Sequence, residues 1–201
     1  MKRIILAILV IATLISCGPS TKIEKTWMEP GATVTKSSPS NKPFVIAVVK
    51  DETSRRVIED QLAKRLGGTA VASYTLLSTD MLRAADEGAL KKILTDGQFT
   101  HVLMMRLADV EKETSYVPGT TTGYYGGYGR YYGYGAGMYS TPGYYTTDKN
   151  YFIETTVYTI NPDKLVWTGT TKTVNPSKLE KTVNEIADVV SDKMKKDGFL
   201  K

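Results

Sequence analysis

Cys17 is the one thiol of the chain, and it closes an apolar run. Lys2 and Arg3 come first, then Ile4 to Leu14, then Ile15-Ser16-Cys17. A free thiol there could be acylated, oxidised or bound to metal. His101 is the one histidine. With no second imidazole or other thiol beside it in sequence, it offers a metal only one ligand, and a serine nucleophile would have no other imidazole base. No Gly-x-Ser-x-Gly elbow is present. Asp109, Glu111 and Glu113 alternate along one stretch, so an extended backbone would put three carboxylates on one face. They could hold a cation or work as acid and base, or they could simply be the solvated end of a strand. The last unusual set is aromatic. Nine of the thirteen tyrosines lie between Tyr124 and Tyr145, among glycines.

The apolar run fixes the reading of Cys17. Residues 4–14 reach only about 16 Å as a helix, against a bilayer core of about 30 Å. A cleaved signal segment fits that length better than a membrane span. Leu14-Ile15-Ser16-Cys17 resembles the lipobox of bacterial lipoproteins. The resemblance implies that the thiol of Cys17 carries a diacylglycerol, that residues 1–16 are removed and that the new amino terminus is acylated, often as palmitate. Two or three acyl chains give a lasting anchor where one binds only marginally. Gly18 stands where an aspartate would resemble an inner-membrane retention signal, so the resemblance implies an outer-membrane lipoprotein facing the periplasm.

The net charge of +5 includes Lys2 and Arg3. The mature chain is therefore only mildly basic, a weak argument for an acidic partner. With Cys17 lipidated no thiol is left for a disulfide, and the fold must rest on packing alone. The length suits one domain and a tether.

Residues 17–42 are rich in Ser, Thr, Pro, Lys and Gly and read as that tether; Trp27 and Met28 are the exceptions. The domain then runs over 43–201. Phe44 to Val49 is a continuous apolar run, the mark of a strand buried on both faces. A helix follows, capped by Thr53 or Ser54 and stopped by Gly67-Gly68, with Ile58, Leu62 and Leu66 in one stripe. A second strand is expected over Ala70–Leu77 and a second helix over Asp80–Thr95. A long third strand, Thr100–Glu113, is apolar on both faces at first and polar from Asp109. Tyr151–Ile160 and Leu165–Thr173 form a hairpin about Asn161-Pro162-Asp163-Lys164. Ser177 to Glu180 has capping-box spacing before the last helix.

The order β-α-β-α-β-β-β-α predicts an α/β fold: a five-stranded mixed sheet with three helices. The first three strands should be parallel and the last three an antiparallel meander. It resembles small α/β domains of envelope proteins, such as the amino-terminal domain of the Tol-system propeller protein and the periplasmic part of the curli secretion lipoprotein. Asp163-Lys164-Leu165-Val166-Trp167-Thr168-Gly169 looks like a hairpin of several small uncharacterised lipoprotein families.

Between the third and fourth strands lies a tyrosine- and glycine-rich insertion, residues 118–147, longer than hairpin loops normally run. Tyr124, Tyr125, Tyr128, Arg130, Tyr131, Tyr132 and Tyr134 could bind a sugar, a peptide or an envelope polymer, since tyrosine offers flat amphipathic area at low rotamer cost. A low-complexity insertion without function is the plainer reading. An envelope location and a single arginine speak against nucleic acid. The expectation is a lipid-anchored binding or scaffolding protein that catalyses nothing and needs no cofactor or metal. Its partners are the membrane, through Cys17, and an envelope protein or polymer. A hydrolase of envelope polymers and a surface adhesin are the alternatives.

Overall fold

A computed structural model describes residues 21–35, 40–67, 69–84, 86–117 and 144–201. Their strands are β1 (Thr21–Met28), β2 (Pro43–Val48), β3 (Val71–Ala72), β4 (His101–Val117), β5 (Tyr144–Thr159) and β6 (Lys164–Val174). The helices are α1 (Glu52–Leu66), α2 (Thr79–Arg83), α3 (Glu87–Asp96) and α4 (Leu179–Lys196). The strands form one mixed sheet in the order β1-β6-β5-β4-β2-β3. β2 runs parallel to both β3 and β4, and β4, β5 and β6 form the antiparallel meander. The α/β class is as the sequence indicated, with one strand and one helix more.

The added strand corrects the tether. Thr21–Met28 pairs antiparallel with β6 and forms the edge of the sheet. Its register slips between Ile23 and Lys25. The bulge brings Ile23 and Met28, an odd number of residues apart, onto the same core-facing side. A regular strand would put them on opposite faces, so no alternation showed in the sequence. The added helix has a local cause. The expected helix over 80–95 is broken into α2 and α3, and Asp86 caps α3 by accepting from the Ala89 amide at 2.9 Å. The expected strand over 70–77 shrinks to two residues followed by a 3-10 turn, Ser73–Thr75.

Two caps also differ. Asp51 caps α1, accepting from the Ser54 amide at 2.7 Å, so the carboxylate one turn earlier takes the role expected of Thr53 or Ser54. Hydrogen bonding from Ser54 also holds the Asp51 pKa below its ordinary value. At α4 the N-cap is Lys178, with no side-chain cap, and Ser177 does not act as one.

β2 is buried on both faces, as its apolar run requires. Val45 and Ala47 meet α1 and α4 with Leu103, Met105, Val157 and Trp167. Phe44 and Ile46 pack on the other side with Leu94, Phe99 and Val102. Trp167 is fully buried, and its ring lies over Gly169, where an added Cβ would sit 2.4 Å from a ring carbon. The Trp-x-Gly pair in the hairpin motif is thus a packing unit: residues two apart share a face, and only glycine leaves the ring its place.

Candidate functional site

The charged groups most withdrawn from water are Arg55 and Glu59, one turn apart on α1 and 1 % and 0 % exposed. Glu59 Oε1 accepts from Arg55 Nε at 3.0 Å, the Ala47 amide at 2.9 Å and the Ser73 hydroxyl at 2.7 Å. Its Oε2 accepts from the Tyr74 amide at 2.9 Å. Arg55 Nη2 donates to Ser73 Oγ at 2.7 Å and to the Leu77 carbonyl at 2.9 Å. This cluster ties the carboxyl end of β2 to α1 and to the 3-10 turn. It also explains why β3 is short: Ser73 and Tyr74 turn toward Glu59 instead of continuing the ladder. The cluster lies where open α/β sheets often bind ligands, but its members are already joined to one another. Replacing either charge would leave the other buried and unpaired. Its role is structural. Sequence reading did not pick out this pair, because an Arg and a Glu four apart on a helix ordinarily lie on its wet side.

His101 opens β4. Its Nδ1 lies 3.0 Å from Thr100 Oγ1 and 3.2 Å from Asn41 Oδ1. Burial pushes its pKa below the usual value, so the neutral ring is favoured. Among the described residues, no group of three or more His, Cys, Asp or Glu side chains is placed to hold a metal.

The three carboxylates lie on a feature that the sequence only hinted at. β4 pairs with β2 as far as Arg106, opposite Val48, and with β5 as far as Val117, opposite Tyr144. β5 pairs with β6 only from Asn150 onward. Past Arg106 the β2 side of β4 is open among the described residues, and from Lys112 and Lys149 outward β4 and β5 continue as a two-stranded ribbon; this overhang of β4 with its β5 partners is the arm. Every described side chain of β4 from Arg106 to Tyr116 is exposed. Side chains that face each other across an antiparallel ladder share a face. On one face of the arm Asp109 is opposite Phe152, Glu111 opposite Asn150 and Glu113 opposite Asp148. On the other face, the one that α1 and α4 cover further down, lie Leu107, Val110 and Tyr116, all more than 40 % exposed. Tyr116 and Tyr145 pair there, with ring centroids 5.1 Å apart.

The expected shared face for Asp109, Glu111 and Glu113 is therefore present, on an exposed ribbon. Glu113 accepts from Asn150 Nδ2 at 3.1 Å and lies 3.8 Å from Lys172 Nζ. Asp109 accepts from the Val110 amide at 2.7 Å. An apolar cavity of about 120 Å³ lies between α1, α4 and the sheet, walled by Leu62, Leu66, Met105, Val190 and Met194. Thr155 also lines it, and its hydroxyl makes no hydrogen bond among the described residues.

Cys17 and the aromatic candidates Tyr124, Tyr125, Tyr128, Arg130, Tyr131, Tyr132 and Tyr134 lie outside the described residues. Among the described residues no helix is long and apolar enough to cross a membrane.

No family model matches the chain, and no curated protein matches it. Solved structures align with the chain at low identity. A PelC dodecamer from Paraburkholderia phytofirmans, in two crystal forms, aligns at 12 % identity with TM-scores of 0.43 and 0.41. The alignments cover 84 % of this chain and 96 % or 97 % of that one. Lipoprotein GNA1162 from Neisseria meningitidis aligns at 11 % identity with a TM-score of 0.37, over 83 % of this chain and 99 % of that one. Likenesses of this size assign the chain to no family.

Proposed function

We propose that this chain is a lipid-anchored protein of the cell envelope, held at the outer membrane through Cys17 and facing the periplasm. Its α/β domain binds or scaffolds other envelope components and catalyses nothing. The observation that carries the binding role is the β4–β5 arm. It presents Leu107, Val110, Tyr116, Tyr144 and Tyr145 to solvent on paired strands, and the tyrosine-rich segment follows β4 and precedes β5 in sequence. Exposed aromatic and aliphatic groups collected on one element suit a docking surface. The hydrolase reading is less favoured. Paired carboxylates work across a cleft that holds the substrate, whereas Asp109, Glu111 and Glu113 lie along a single exposed strand.

Two measurements test the reading. Mass spectrometry of the membrane-extracted protein should find Cys17 diacylated at a new amino terminus, and an unmodified thiol on a mature chain refutes the anchor. Crosslinking in intact cells followed by extraction should capture an envelope component with the wild type. Capture should drop at least several-fold when Leu107 and Tyr116 are replaced by serine. Undiminished capture moves the binding role away from the arm.

A further inference from the structure

We propose that the chain binds a second copy of itself head to tail, the free edge of β1 in one copy pairing with the free edge of the β4 arm in the next. The proposal names a partner for the arm, so it deepens the binding role, but it depends neither on the lipid nor on other envelope components.

Both edges are open among the described residues. β1 is the last strand of the sheet and pairs only with β6. β4 beyond Arg106 has no neighbour on the side that β2 occupies further down. Unpaired edges of this length invite pairing with another chain.

The two edges match on both faces. On the uncovered face, β1 carries Lys22 and Lys25, set opposite Lys172 and Thr170 of β6. Lys22 lies directly opposite Lys172, like charge against like, and Glu24 answers only Lys22, at 3.1 Å. The same face of the arm carries Asp109, Glu111 and Glu113, with Glu113 directly opposite Asp148. Arg106, the cation that β4 carries on this face, is already paired with Glu154 at 2.6 Å, and Lys112 lies on the other face, opposite Lys149. Like charges opposed across a ladder are unfavourable; within the chain Lys172 and Glu113 lie 3.8 Å apart and answer each other, which leaves Lys22 and Lys25 at one edge and Asp109 and Glu111 at the other. A sheet continued from copy to copy keeps its faces, so the lysines of one end would meet the carboxylates of the other. On the opposite face the half-buried Ile23 and Met28 of β1 would extend toward the exposed Leu107 and Val110.

Charge also decides against the symmetric alternatives. Arm against arm would set carboxylates beside carboxylates, and β1 against β1 would set lysines beside lysines. A head-to-tail contact leaves one free edge at each end, so it closes into a ring or continues as a filament.

Sedimentation velocity of the full-length chain in detergent tests this. The wild type should form species larger than a dimer. Lys22→Glu with Lys25→Glu, and separately Asp109→Lys with Glu111→Lys, should each weaken association by about tenfold or more. All four positions lie at the sheet margins, and unchanged circular dichroism checks that both variants fold. Mixing the two variants should restore assembly, since each then supplies the edge complementary to the other. A monomeric wild type, or variants that associate as the wild type does, overturns the proposal. Variants that dissociate but fail to reassemble together overturn the head-to-tail pairing. Because the protein is pure, failure here leaves the envelope role standing, and an unmodified Cys17 leaves this contact standing.

Discussion

The two halves of β4 differ more than any two separate elements do. From His101 to Met105 the strand lies between β2 and β5, with Leu103 and Met105 against the helices and Val102 against Phe44 and Phe99. From Leu107 onward it keeps the same partner, β5, yet its described side chains are exposed. The backbone hydrogen bonds to β5 continue, and the burial stops. The change comes where β2 ends and the register slips between Leu107 and Asp109. Bulges of this kind twist a strand and end its pairing on one side. The comparison teaches that a β-ladder can run on well past the core, and that apolar residues on the overhang are free to meet a partner.

The comparison can be broken first at the buried end. Glu59→Ala removes the acceptor of the Ala47 and Tyr74 amides and the Ser73 hydroxyl, and leaves Arg55 charged and enclosed. A loss of about 3–5 kcal/mol is expected, measured by urea unfolding. A loss below about 1 kcal/mol would show that water reaches the cluster.

Gly169→Ala comes next. The new methyl would occupy space that the Trp167 ring holds, and overpacking of this kind costs about 1–3 kcal/mol. The Trp167 fluorescence should shift as the ring is displaced. An unchanged melting temperature and spectrum would mean that the ring moves aside freely.

His101, at the start of the buried half, gives a smaller effect that depends on pH. Burial holds its folded pKa below the ordinary histidine value of 6.5. The unfolded chain therefore takes up its proton first as pH falls, and stability must drop below about pH 6.5 by linkage. Above that pH the ring is neutral in both states and contributes no slope. His101→Gln should flatten the stability profile between pH 7 and 5. Carboxylates with lowered pKa, Asp51, Glu52 and Asp188, act only in a more acidic window. An unaltered profile would place the slope elsewhere.

The exposed half should give the smallest change in stability. Leu107→Ser with Val110→Ser is expected to stay within about 0.5 kcal/mol of the wild type, as surface substitutions usually do, while association or capture falls. A loss above about 2 kcal/mol would mean that the overhang is part of the core after all.

The amino-acid sequence by itself determined the class of the fold, the parallel entry, the antiparallel exit and the alternation of Asp109, Glu111 and Glu113 on one face. Each follows from local causes: a continuous apolar run, the period of a helix, the turn chemistry of Asn161 to Lys164. The resemblance of Leu14 to Cys17 was legible for the same reason, since a signal segment is read as a local motif. Only the tertiary structure decided the rest. Thr21–Met28 joined the sheet because β6 supplied a ladder and a bulge reset its faces, a long-range partnership that its own residues do not encode. Arg55 and Glu59 became buried because Ala47 and the Ser73-Tyr74 turn, distant in sequence from each other, both turned toward them. The arm became an arm because β2 ends at Val48 and β6 begins its pairing at Asn150, so its exposure depends on the lengths of its neighbours and not on its own residues.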